Sequence, residues 1–229
     1  MIKIIFFDAG PVISLVMSRL AWILPELKKQ FGGKFYITPA VKNELVDRPL
    51  TVRRFEFEAL QVMKFIREGV IEVYNAVPQR RVDALRSLAN TSFMIDKKPM
   101  EILQSGEMES VASALETTAT VVMDERTLRL FIENSSEMKK LLEMRFQKNV
   151  TADAQKIKEF SSQLKNVTII RSIELVAVAY RMGLLNSYLP PQKNGKDLLL
   201  DSVLWATKYN GCAVTEHEIE EIKQFLLKT

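Results

Sequence analysis

The stretch Ile2-Lys3-Ile4-Ile5-Phe6-Phe7-Asp8-Ala9-Gly10-Pro11-Val12-Ile13 decides the fold. A continuous apolar run with one lysine is the pattern of a central parallel strand, covered on both faces. It stops at an aspartate, and Gly10-Pro11 then opens a helix, where a proline's missing N–H costs nothing. An acid at the C-terminal end of such a strand faces the crevice in which open α/β sheets build their sites. Asp8 is equally suited to cap the helix that follows.

The same logic returns at Ala119–Met123, a second apolar run ending in Asp124. Two further acids lie near predicted helix starts. Thr38-Pro39-Ala40-Val41-Lys42-Asn43-Glu44-Leu45 places Glu44 early in a helix. Gly106-Glu107-Met108-Glu109-Ser110-Val111-Ala112 places Glu107 and Glu109 early in another, with Ser105 as its cap. Alone, Glu44 reads as a surface acid stabilised by the helix N-terminus. Two residues apart on a helix is a rotation of roughly 200°, so Glu107 and Glu109 face different ways. Carboxylates that converge in space repel one another unless a cation sits among them, so the four motifs together read as a divalent-metal site.

The rest of the chain alternates strand and helix. Helix is expected over 12–31 with a break at Pro25, then over 52–67, 78–90, 106–117, 137–146, 152–164, 173–185, 198–209 and 216–227. Strands are expected at 34–38, 70–74, 118–123 and 167–171, and 96–103 reads as loop. This is an α/β pattern with a largely parallel sheet.

The 229 residues suit one domain, with 47% apolar and 26% charged residues, enough for a real core. The net charge of +4 is compatible with a polyanionic partner without requiring one. Cys212 is the only cysteine, which excludes an intramolecular disulfide and fits a reducing cytoplasm. With a single histidine, His217, a zinc site is improbable. No apolar run approaches the ~20 residues of a membrane span. Asp47 and Asp201 read as helix-surface acids, and Trp22 and Trp205 as core or interface anchors.

The order strand–Asp, helix–Glu, helix–Glu, strand–Asp resembles the PIN-domain superfamily of metal-dependent nucleases. Ile5–Leu15 looks like that family's opening motif, Thr38–Leu45 its second, Gly106–Ala112 a Gly-Glu-x-Glu form of its third, and Thr120–Asp124 its fourth. The third acid is glutamate where toxin-type members usually carry aspartate, and Val122-Met123 replaces the Thr or Ser before the fourth. The likeness covers about residues 1–132 and resumes at 167–185. It implies a PIN-like three-layer fold with a central, mostly parallel sheet, as one domain over 1–229. Residues 133–166 then form a helical insertion and 186–229 a C-terminal helical extension.

The resemblance also implies hydrolysis of RNA phosphodiester bonds, toxin-like or in RNA processing, with Mg²⁺ or Mn²⁺ as cofactor. The implied metal-binding residues are Asp8, Glu44, Glu107, Glu109 and Asp124, of which Asp8, Glu44, Glu107 and Asp124 are the catalytic set. Spacing favours Glu107 as the third acid, and Glu109 remains an alternative. The expected partners are RNA, an antitoxin or other protein, and a second copy in a homodimer, with no membrane. The rival reading is a PIN-fold RNA-binding or scaffold module that cleaves weakly. Between 137 and 165, seven basic residues oppose four acidic ones. That face reads first as solvated surface and second as an RNA-contacting flank. The two insertion helices are expected to pack together.

Overall fold

The computed structural model describes residues 2–228, apart from the side chains of Ile132, Glu133 and Ser135. Met1 and Thr229, the ends of the expected single-domain range, lie outside the described residues. Strands β1 (Ile4–Phe7), β2 (Lys34–Ile37), β3 (Glu72–Val73), β6 (Thr120–Val122) and β8 (Thr168–Ile170) form one sheet in the order β3-β2-β1-β6-β8. Every pairing in it is parallel. The chain runs outward from β1 through β2 to β3, then crosses back to place β6 on the other side of β1. The C-terminal ends of β1 and β6 therefore flank the point where strand order reverses, the expected site of a crevice.

Helices cover both faces. Ile5 and Phe7 point into one core with Val12, Leu15, Ile23 and Leu24, while Phe6 points into the other with Leu85, Met108 and Phe131. Alternation along four residues thus anchors two cores. Phe6 and Phe7 are fully buried, each worth about 1.5–3 kcal/mol of apolar transfer. The first core carries helices α1 (Ala9–Met17), α2 (Ile23–Phe31), α4 (Glu56–Arg67) and α10 (Ser172–Arg181); the second carries α5 (Gln79–Asn90), α6 (Ser105–Thr117), α7 (Arg126–Glu133), α8 (Ser135–Phe146) and α9 (Ala154–Leu164). Helix α3 (Pro39–Lys42) follows β2, and α11 (Gly195–Tyr209) and α12 (Glu216–Leu227) pack on α10 around Ile173, Leu204, Cys212 and Ile219. The architecture is α/β with a parallel central sheet between helical layers.

Several expectations are corrected. The break in the first helical stretch falls at 18–22, not at Pro25. Arg19 adopts a left-handed φ of 60°, whereas Pro25 is the third residue of α2, where no intrahelical N–H bond is lost. The stretch at 52–67 is helical only from Glu56, preceded by 3₁₀ turns Pro49–Thr51 and Arg53–Phe55. Residues 173–185 pass from α10 into a 3₁₀ turn, Leu184–Tyr188, after Gly183 at φ 74°.

The region read as loop, 96–103, opens with the turn and second strand of a hairpin, β4 (Phe93–Ile95) with β5 (Lys98–Pro99). Its two-residue turn, Asp96-Lys97, has both φ values positive, as a type I′ turn demands. Strand β7 (Val150–Ala152) adds to β4, so the 133–166 segment is pinned by a second, antiparallel sheet of order β5-β4-β7. Its helices do not pair chiefly with each other: α9 packs on α5 and α7, and α8 on α7 and β7. Phe93, Phe131 and Phe160 pack in series across this junction as tilted pairs, at 5.3 and 4.4 Å between centroids. The basic face is partly neutralised, through Lys139–Glu143 at 3.6 Å within it and Lys148–Asp96 at 2.6 Å to the hairpin turn.

Lys97 at φ 64° is a position where an L side chain is strained and glycine is not. Lys97→Gly should raise unfolding free energy by about 0.5–1 kcal/mol in urea denaturation; a loss of stability would show that the turn is not of this type.

Candidate functional site

Asp8 follows β1 and continues its ladder, its amide donating to the Val122 carbonyl at 3.0 Å. It occupies the N-cap position of α1, yet its side chain makes no capping hydrogen bond. With 6% exposure it is a nearly buried carboxylate. Burial pushes its pKa up to about 6; the Glu44 and Asp124 charges add to the rise, and the Ala9 and Gly10 amides offset part of it. Gly10 fits between the two aspartates. A Cβ there would lie 3.6 Å from the Asp124 Cβ and 3.8 Å from Asp8 Oδ2.

Asp124 sits one strand over, at the end of β6, with 2% exposure. Its carboxylate accepts three hydrogen bonds of 2.7 Å, from Ser14 Oγ on α1 and from the Ser172 amide and Oγ at the start of α10. The Ala213 amide donates to its carbonyl at 3.1 Å. Asp124 therefore clamps β6, α1, α10 and the segment before α12 together. Beside it, burial and then the Asp124 charge push the Cys212 thiol up to about 12, so this cysteine is an inert core group.

Glu44 reaches the site through a local irregularity. Asn43–Asp47 is a π turn, closed by the Arg48 amide donating to the Asn43 carbonyl at 2.9 Å. Such insertions into a helix occur often at functional positions, because they rotate the following side chains out of α phase. Glu44 is half-buried against the first turn of α6, where a Cβ on Gly106 would come within 3.0 Å of Glu44 Oε1. Burial raises its pKa, Arg48 opposes the rise and Glu109 adds to it.

The Gly-Glu-x-Glu motif splits as the rotation argument expects. Glu107 turns back to accept the Gln104 amide at 2.9 Å, and Glu109 accepts the Ala40 amide at 3.0 Å, bracing α3 against α6. The N-cap of α6 is thus Gln104 rather than Ser105. Glu107 is 7% exposed. Burial pushes it up to about 8, against the Gln104 amide and with help from Asp8, Glu125 and Glu44.

The fold thus brings Asp8, Glu44, Glu107 and Asp124 to one end of the sheet, with Glu109 behind Glu44. It does not gather their oxygens as fully as the sequence leads one to expect. Among the described residues, no three His, Cys, Asp or Glu side chains are disposed to hold a metal ion. The reason is visible in the hydrogen bonds: Ser14 and Ser172 draw Asp124 away, and helix-start amides draw Glu107 and Glu109. Sequence reasoning does not single out Ser14, Ser172 or Glu125 as parts of the site. Ser14 is legible in principle, one helical turn after Gly10 and so on the same face of α1; nothing local marks Ser172. Asp201 and His217 are far from this chemistry: Asp201 pairs with Lys223 at 3.1 Å, and His217 is exposed beside Glu221.

Comparison of the chain with protein-family models, curated proteins and solved structures finds no match. No helix among the described residues is long and apolar enough to cross a membrane.

The two aspartates should respond differently to mutation. Asp8 and Glu107 titrate higher in the folded chain than in the unfolded one, so the folded state binds more protons between about pH 4 and 8. The metal-free protein should therefore lose stability as pH rises through that window and level off above it; Asp8→Asn should flatten the lower part of the fall in a Tm-versus-pH series. Asp124→Asn should instead destabilise by about 1–3 kcal/mol, since its amide NH₂ faces hydroxyl and amide donors. A Tm equal to that of the native chain would mean that the Ser14–Asp124–Ser172 clamp contributes nothing.

Proposed function

We propose that the chain is a divalent-metal-dependent ribonuclease of the PIN type. The observation that carries this reading is the crowding of Asp8, Glu44 and Glu107 beside Asp124, with burial and mutual repulsion raising the first three. A protein that buries like charges together at a switch-point crevice gives up stability there, and a cation recovers it. The donors are all carboxylate oxygens, which suits a hard ion such as Mg²⁺ or Mn²⁺. Asp8, Glu44 and Glu107 would hold it, and Glu109 and Asp124 would support them. When bound, such an ion lowers the pKa of its water and neutralises charge building on a phosphate.

The remaining work falls to the protein. Asp124, through Ser14 and Ser172, holds the end of β6 against α1 and α10. Glu109 holds α3, and with it the π turn that aims Glu44. Arg48 flanks Glu44 and supplies positive charge at the rim. The chemistry expected is hydrolysis of an RNA phosphodiester, in a toxin-like or RNA-processing role.

A second reading has its own observation. Glu107, Glu109 and Asp124 all spend oxygens on hydrogen bonds within the fold, which suits a PIN-like RNA-binding or scaffold module with weak catalysis. Calorimetric titration with Mn²⁺ separates the two. The nuclease reading expects saturable binding that raises Tm, metal-dependent cleavage of single-stranded RNA, and loss of cleavage by at least ~100-fold in Asp8→Asn with the fold retained. Saturable RNA binding with no Mn²⁺ binding by the native chain would establish the module instead.

A further inference from the structure

Between the π turn and α4 the chain makes two 3₁₀ turns that leave Arg48, Arg53 and Arg54 exposed. Interleaved with them are apolar side chains that the core does not take up: Phe55 is 40% and Phe57 71% exposed. Arg54 lies 5.4 Å from the centroid of the Phe55 ring. Among the described residues none of the three arginines has a carboxylate within salt-bridge distance, although the Arg48 charge acts on Glu44. The segment borders a cavity of about 550 Å³ whose lining includes Ile13, Glu44, Arg48, Val52, Phe55 and Gln104. Glu44 of the acidic site and the Phe55 ring thus line one cavity, and the Arg54 guanidinium lies over that ring.

That combination has a particular chemical partner. Arginine beside an exposed aromatic ring offers a phosphate contact and a stacking face, and stacking tolerates any base but requires it to be unpaired. The acids nearby do not cancel the charge. Within the segment Glu56 is the single acid against three arginines, and Asp47 just before it is paired with Lys42 at 2.7 Å. Phosphates would thus sit on the Arg53–Arg54 side and the base against the apolar wall.

We propose that the 48–57 segment is a platform for single-stranded RNA, with Phe55 stacking a base at the groove mouth and Arg53 and Arg54 taking phosphates on the approach to Glu44. This assignment rests on the nuclease reading for its choice of RNA, and deepens it by naming the surface that positions the strand.

The test is fluorescence anisotropy of a labelled 12-nucleotide single-stranded RNA with the full chain, in EDTA so that no cleavage intervenes. Phe55→Ala should weaken binding about fivefold or more. Arg53→Gln combined with Arg54→Gln should also weaken it and reduce the slope of log K against log salt by about 1.4. Met144→Ala, at an exposed apolar position on α8, should leave affinity unchanged. A duplex of the same sequence should bind more weakly and not respond to Phe55→Ala. Native affinity in both the Phe55 and the arginine variants overturns the platform, as does a concentration-dependent dimer that Phe55→Ala dissolves while RNA affinity stays put. If Phe55-dependent binding is present but the native chain never cleaves RNA with Mn²⁺, the nuclease reading fails and the platform stands. Cleavage with no Phe55 dependence of binding does the reverse: the platform fails and the nuclease reading stands.

Discussion

The site depends on β1 pairing with β2 on one side and β6 on the other, in parallel on both. That arrangement requires the chain to leave β1 at the place where strand order reverses, and the bond from the Asp8 amide to the Val122 carbonyl continues the β1–β6 ladder to that point. Asp8 and Asp124 become neighbours because adjacent parallel strands end side by side. The pairing in turn requires cover on both faces, since a parallel sheet with a bare face would expose its apolar side chains. Phe6 and Phe7, on opposite faces of one strand, tie the two helical layers to the same backbone that delivers Asp8.

The acids of the site do two kinds of work. Asp124 and Glu109 are structural in the plainest sense: each accepts hydrogen bonds that join elements distant in sequence, and their charge is met by the donors they hold. Asp8 and Glu107 are different. Each is nearly buried and lies near other carboxylates, and among the described residues neither has a cationic side chain paired with it. Such groups lower stability in proportion to their charge, which is the usual condition of a site that waits for a ligand. The salt-bridged cluster at the start of α10 shows the opposite arrangement. Burial alone would raise Glu218, but the Thr215 amide and Arg171 hold it at about 2, and Arg171 in turn donates to the Ala213 carbonyl, joining α12 to the segment before it.

The π turn at 43–47 connects the two halves of the functional argument. It aims Glu44 inward and, one residue later, sends the chain into the 3₁₀ turns that display Arg53, Arg54 and Phe55. A regular helix through this region would change the orientation of both. Its cost is offset by the bracing of α3 on Glu109 and by the burial of Val41, Leu45 and Val46.

The sequence alone determined the α/β class, the parallel sheet, most helices, and the acids at strand and helix ends. These follow from short-range rules: apolar runs bury, periodicity sets the element, and Gly and Pro mark its limits. Helix α12, with its Thr215–Glu218 capping box, was readable to the residue because the whole signal lies within four positions. What failed to show was non-local or carried by unusual backbone. The Asp96-Lys97 turn lacks the glycine that announces a type I′ hairpin, and β7 becomes a strand only because β4 is there to pair with it. The π turn leaves no mark in composition. Ser172 reaches Asp124 across 48 positions, a contact that the β6–β8 pairing creates and no local pattern encodes. Which oxygens stay free for a ligand, and which are spent holding the fold, was decided by tertiary structure alone, because hydrogen-bond donors from remote elements compete for the same carboxylates.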